Sequence, residues 1–204
     1  MYKRQSENNI LVTENNGIIN GKKIAVPDAE ISTHSIVVCK CESGISLQLV
    51  DLSSPGVTIE QQETIDDSRG HFLINFENVK SNLIGDKGNG WKSYETLINQ
   101  AAVFFSYEQI GGSQATLDMA INYAKERYAF GRPIGSYQAI KHKLADMYIA
   151  LTLAKSNCYY AAWALSTNSS DFPSASATAR VSATKAYQLC SQAVSYTHLR
   201  AHET

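Results

Sequence analysis

The chain has 204 residues, 44% of them hydrophobic and 18% charged, enough length for one large core or two modest ones. A net charge of −1 gives no electrostatic case for nucleic acid or for an acidic membrane surface. No apolar run approaches the roughly 20 residues of a membrane span.

The opening MYKRQSENN has no apolar signal core, so secretion has no support. Residues 1–5 and 194–204 resemble translated sequencing adapter. Ser195-Tyr196-Thr197-His198 can be written TCT-TAT-ACA-CAT, and the reverse complement of that string holds GTG-TAT-AAG-A, a start codon followed by Tyr, Lys and the first base of an arginine codon, as in Met1 to Arg4. The expected insert is therefore about Ser6 to Ala193, cut at both ends. His198 and His202 have the i, i+4 spacing of two metal ligands but fall in the adapter-like tail, so no metal site is assigned.

Up to Gly88, β-branched runs alternate with turn residues. Gly17–Gly21, Ser35–Cys39, Ile45–Val50 and His71–Phe76 read as strands. Asn20-Gly21 and Ser43-Gly44 read as hairpin turns, and Pro55-Gly56 as a turn between runs. This half is expected to be an antiparallel β-sandwich or open barrel of about six to eight strands. Cys39 and Cys41 would share one face of a strand. With Cys158 and Cys190 they form no C-x-x-C pair and read as free thiols in a reducing cytoplasm.

From Gly88 onward the spacing becomes helical, and the expected domains are 6–87 and 88–193. Leu97, Ala101, Phe104, Phe105, Leu117, Ala120, Ile121 and Ala124 predict one long helix, or two in line, over 91–130, with close packing at Gly111-Gly112. Gly131 is placed to end it and Pro133 to stop it resuming. Leu144, Met147, Leu151, Ala154, Cys158 and Ala162 predict a second helix over 136–166, and a third begins near Ser174. The fold class is α+β, a β-domain followed by an incomplete antiparallel helical bundle.

Arg127 would close the first helix, Phe130 and Gly131 follow, and Gln138 opens the next. A cation, an aromatic face, a glycine and a helix N-terminus suit an anionic aromatic ligand such as a pyrophosphate joined to adenine. The same residues also fit a plain helical hairpin, with Arg127 paired to a carboxylate and Phe130 in the core. Asp66-Asp67 beside Arg69 reads as a solvated turn and His142 as surface or interface. Glu108 reads as a buried polar contact, and Tyr159, Tyr160 and Trp163 as packing or interface.

Tyr123-Ala124-x-x-Arg127-x-x-Phe130-Gly131-x-Pro133-Ile134-x-x-x-Gln138-Ala139-x-x-His142-x-Leu144-Ala145-Asp146-Met147 resembles the C-terminal signature of acyl-CoA dehydrogenases. Asn20-Gly21-x-Lys23, Val26 to Ala29, Asp51 to Thr58, Phe76 to Val79, Gly88-x-Gly90-Trp91 and Gln114-Ala115-x-Leu117-Asp118 resemble further motifs of that family, in the same order. The resemblance implies FAD, an acyl-CoA substrate, α,β-dehydrogenation, an electron-transfer flavoprotein as acceptor, and a dimer of dimers. It makes Arg127 the arginine that contacts a neighbouring subunit's FAD phosphates, Gln138 a glutamine on the same FAD, and Phe130 an aromatic beside the adenosine end.

The chain also departs from the family pattern. The glutamate that serves some members as base falls at Ala101, and the arginine that often follows falls at Ala102. Asn99 to Ala102 is thus an altered substrate wall, with Asn99 and Gln100 its substrate-facing candidates, and no catalytic residue is assigned. A flavin-facing Trp-Ile-Thr is replaced by Ala25-Val26-Pro27, and proline has neither N–H nor hydroxyl. The leading expectation is an inactive fragment of an acyl-CoA dehydrogenase. The alternatives are a non-catalytic subunit of a heteromeric dehydrogenase, and a β-domain with a helical dimerisation module and no redox role.

Overall fold

The computed structural model describes residues 9–65 and 69–199, with side chains described to Val194. Residues 1–5, Asp66, Asp67 and His202 lie outside the described residues, as does the side chain of His198. Two compact units meet within one helix, the first ending at Thr96 and the second beginning at Leu97.

The first unit holds seven strands: β1 (Thr13–Asn15), β2 (Ile18–Pro27), β3 (His34–Cys41), β4 (Gly44–Asp51), β5 (Val57–Gln62), β6 (His71–Lys80) and β7 (Asn82–Ile84). They form one sheet in the order β5-β6-β2-β1-β3-β4-β7. Each neighbouring pair is antiparallel except β1 and β3, which pair in parallel at Thr13 and Lys40. One core takes Val57 and Ile59 from β5, Phe72, Ile74 and Phe76 from β6, Val37 and Cys39 from β3, and Val50 from β4. Strands near both ends of the order share that core, so the sheet is rolled into an open barrel. On the opposite face, Val38, Ile45 and Leu47 pack with Ile10 against Ile84, Trp91 and Tyr94. Burial of both faces explains the nearly unbroken apolar run of β3.

Two sequence expectations change here. The β1–β2 turn is Asn16-Gly17, with φ of +50° and +78°, the paired positive values of a type I′ hairpin. Asn20-Gly21 lies inside β2, where the register slips between Ile19 and Gly21. A Cβ at position 21 would sit 2.9 Å from the Leu11 carbonyl oxygen, so this glycine answers to close packing rather than to a turn.

All four cysteines are free and buried. Burial pushes the Cys39 thiol up to about 12, partly offset by Lys23. Lys23 donates Nζ to the Val38 carbonyl at 2.8 Å, and burial lowers its own pKa, partly countered by Cys39. The Asp28 carboxylate takes Arg69 Nε at 2.7 Å.

The second unit is built on α1 (Gly90–Glu126), α2 (Gln138–Ser166) and α3 (Phe172–Leu199). The buried seam of α1 is Val103, Ser106, Ile110, Ser113, Leu117, Ala120 and Ala124, spaced alternately three and four apart. Leu97 and Phe104, expected in that stripe, are exposed. Serines can enter the seam because each donates to a carbonyl of its own helix, Ser106 to Ala102 at 2.6 Å and Ser113 to Gln109 at 2.8 Å. The facing stripe of α2 is Met147, Leu151, Ala154, Cys158 and Ala161; that of α3 is Ala175, Ala179, Ala183, Ala186, Cys190 and Ala193. Small side chains let these backbones approach closely. Lys155 donates to Gln114 at 2.6 Å and Arg180 to Gln109 at 2.7 Å, stitching α1 to both neighbours.

Gly112 is in close contact, since a Cβ there would meet the Tyr187 ring at 2.7 Å, whereas Gly111 faces open space. Glu108 is exposed, not the buried contact expected of it. Tyr159 packs edge-on to Tyr107 at 6.1 Å, and Tyr160 stacks on Trp163 at 5.6 Å.

Candidate functional site

The corner between α1 and α2 gathers three of the five residues singled out from sequence. α1 ends at Glu126, earlier than expected, so Arg127 is the first residue beyond it, its amide still bonded to Tyr123 at 2.9 Å. The chain then makes a small ribbon of β8 (Tyr128–Ala129) and β9 (Arg132–Pro133), with Tyr128 opposite Pro133 and Ala129 opposite Arg132. Phe130 and Gly131 form its tip at φ +52° and +78°. Gly131 therefore turns a hairpin instead of ending a helix. A 3-10 turn (Ile134–Ser136) leads into α2 at Gln138. Ile134 is buried and returns its amide to the Arg127 carbonyl at 2.8 Å, which fixes the loop against the helix it left.

Arg127 is exposed, and among the described residues its guanidinium meets no carboxylate. Phe130 is 90% exposed. The bland hairpin, with a paired arginine and a core phenylalanine, is thus overturned. Gln138 is exposed at the start of α2, where no side chain caps the helix and no acidic residue stands in the first turn. The Gln138 and Ala139 amides have no helical carbonyl to bond, whereas Ile140 and Lys141 bond the Tyr137 carbonyl, and the positive dipole end is not offset.

Arg132 and Tyr137 are two contributors that sequence reasoning missed. Tyr137 Oη donates to the Ala129 carbonyl at 2.9 Å, and the Arg132 guanidinium lies 3.9 Å from the centre of the Tyr137 ring. The only sequence signal for them was an aromatic residue at the helix start and an arginine five residues before it. A groove of about 370 Å³ beside the corner is lined by Ile121, Ala124, Lys125, Pro133, Gly135, Ser136 and Leu144. It is mostly apolar.

Asn99 and Gln100 are half-buried on α1, with Ala101 and Ala102 after them. They are not part of the corner: along α1, Gln100 and Arg127 are about 40 Å apart at about 1.5 Å per residue. In the first unit, Ala25 has φ +54° at a register slip of β2 and gives its amide to Gln62 Oε1 at 2.8 Å. Among the described residues, no cluster of three or more His, Cys, Asp or Glu side chains could hold a metal, and no helix is long and apolar enough to cross a membrane. His142 is exposed.

A long helix leaving a rolled sheet, followed by a corner with an exposed arginine and two alanine-seamed helices, defines a class of α+β protein. Residues 88–197 match the family described as acyl-CoA dehydrogenase, C-terminal domain. The chain belongs to the acyl-CoA dehydrogenase family. It is 34% identical over 189 residues to the probable acyl-CoA dehydrogenase YngJ of Bacillus subtilis, covering 87% of this chain and 50% of that protein. It is 32% identical over 179 residues to the mitochondrial short-chain specific acyl-CoA dehydrogenase of Rattus norvegicus, covering 83% of this chain and 43% of that protein. The solved structure of PigA with FAD and proline superimposes with a TM-score of 0.89 at 23% identity, covering 96% of this chain and 54% of that one. The chain thus spans about half the length of the relatives it matches.

Proposed function

We propose that this chain is part of an FAD-dependent acyl-CoA dehydrogenase and that its α1–α2 corner grips FAD held mainly by a neighbouring subunit. The observation that carries the reading is the corner: an exposed, unpaired Arg127, an exposed Phe130 on a strained tip, and Gln138 at an uncapped, acid-free helix start. A guanidinium and free amides fit a pyrophosphate, and an aromatic face fits an adenine. The distance to Asn99 and Gln100 supports the division between subunits, because one chain cannot bring its own corner to its own candidate substrate wall.

When bound, FAD supplies the two-electron acceptor for α,β-dehydrogenation of an acyl-CoA thioester. The residues here would hold and orient it, Arg127 by charge and Gln138 by its amide, while Asn99 and Gln100 border the acyl group. Ala101 takes no proton, so these residues alone would not turn over substrate. An electron-transfer flavoprotein as acceptor, a dimer of dimers and a cytoplasmic location complete the proposal, the last supported by four free cysteines. In the intact protein, Arg127→Ala should weaken FAD about tenfold to a hundredfold, the value of a charge-assisted phosphate contact. Unchanged affinity, read by flavin fluorescence, would remove the basis of the proposal.

Ala101 and Ala102 favour a second reading, a non-catalytic subunit of a heteromeric dehydrogenase that lends Arg127 and Gln138 to its partner. A homogeneous intact preparation whose FAD is bleached by an acyl-CoA would exclude it.

A further inference from the structure

We infer that Tyr137 is a positioning residue, a clamp that presents Arg127, Phe130 and Gln138 as one rigid unit. The inference rests on the reading of the corner as a cofactor grip. The ribbon has only two facing pairs, Tyr128 with Pro133 and Ala129 with Arg132. So short a hairpin does not hold itself together in water. Its tip carries a bulky residue at positive φ, which favours relaxation to another turn.

Tyr137 touches both strands. Its hydroxyl holds Ala129 on the first, and its ring lies under Arg132 on the second. It is also the cap residue of α2, with extended backbone at φ −81° and ψ 137°, and its carbonyl accepts the Ile140 and Lys141 amides at 3.1 Å each. The residue that closes the hairpin therefore also fixes the start of the helix that carries Gln138. Burial does not account for this arrangement, since the loop is anchored in the core by Ile134 and Tyr137 is only half-buried.

The test compares Tyr137→Phe, which keeps the ring and loses the hydroxyl, with Tyr137→Leu, which loses both contacts. In the intact protein, Tyr137→Phe should weaken FAD about fivefold, the value of one neutral hydrogen bond, and Tyr137→Leu more. Amides of residues 128–133 should exchange faster in both, with or without flavin. Ala183→Gly, in the α3 seam, serves as a control that lowers the melting temperature without changing FAD affinity.

Wild-type affinity in Tyr137→Leu alongside weakened binding in Arg127→Ala overturns the clamp alone. Unchanged binding in Arg127→Ala overturns the reading of the corner. Unchanged hairpin exchange in Tyr137→Leu overturns the clamp whether or not flavin is bound.

Discussion

Phe130 sits where a bulky L-residue costs about 1–2 kcal/mol in backbone strain, and at 90% exposure its side chain recovers almost nothing by burial. Strain without a folding return is the mark of a residue kept for contact with something else. Phe130→Gly should therefore raise stability by about 0.5–1 kcal/mol, the relief of strain less the chain entropy of glycine, while weakening FAD. The urea midpoint and flavin affinity should move in opposite directions; a fall in both would contradict the argument. The sequence placed Arg127, Phe130 and Gln138 at one corner but misjudged its backbone. Ala129-Phe130-Gly131-Arg132 reads equally as a helix end or a hairpin tip, since both want glycine at positive φ. The hydroxyl of Tyr137 on Ala129, eight residues away, helps favour the hairpin, and no local pattern reveals it.

The adjacent glycines of α1 have different reasons to exist, and single substitutions separate them. Gly111→Ala adds a methyl into open space inside a helix, so it should stabilise by about 0.8–1 kcal/mol. Gly112→Ala gains the same propensity but pushes its methyl into the Tyr187 ring, so it should stabilise less or destabilise. Thermal melts of the two variants check this, and equal gains would mean that α1 and α3 are not in close contact at Gly112. Apolar spacing revealed that α1 is a helix and that Leu117, Ala120 and Ala124 are buried, but not which side is buried in its first half. The buried seam runs through Ser106 and Ser113, polar by type yet satisfied by their own helix, while Leu97 and Phe104 face outward. The β1–β2 hairpin was missed for a related reason. Asn16-Gly17 and Asn20-Gly21 carry the same turn signal, and only the packing of Gly21 against Leu11 separates turn from strand.

Within one chain, α1 carries the candidate substrate wall near one end and the candidate cofactor corner beyond the other, about 40 Å apart. If both serve one kind of active site, each site must draw its wall from one chain and its corner from another. Subunit mixing gives this a sharp consequence. Arg127→Ala disables the corner, and Ala101→Trp fills the wall. Each homo-oligomer should lose acyl-CoA-driven bleaching of FAD. In a mixed dimer, one site combines the intact wall of the Arg127→Ala chain with the intact Arg127 of the Ala101→Trp chain. The other site combines both lesions. Random pairing makes half the dimers mixed, so about a quarter of sites should recover, as a two-fold symmetric interface requires. If wall and corner worked within one chain, every site would carry one lesion, and mixing would restore none. The exposed apolar stripes on α1 (Leu97, Phe104, Met119) and α2 (Ile149, Leu153, Trp163) are consistent with helices that meet further protein in the assembly. Bleaching measured against the ratio of co-expressed variants should therefore peak near equal mixing, and a flat, inactive profile would return the corner to its own chain.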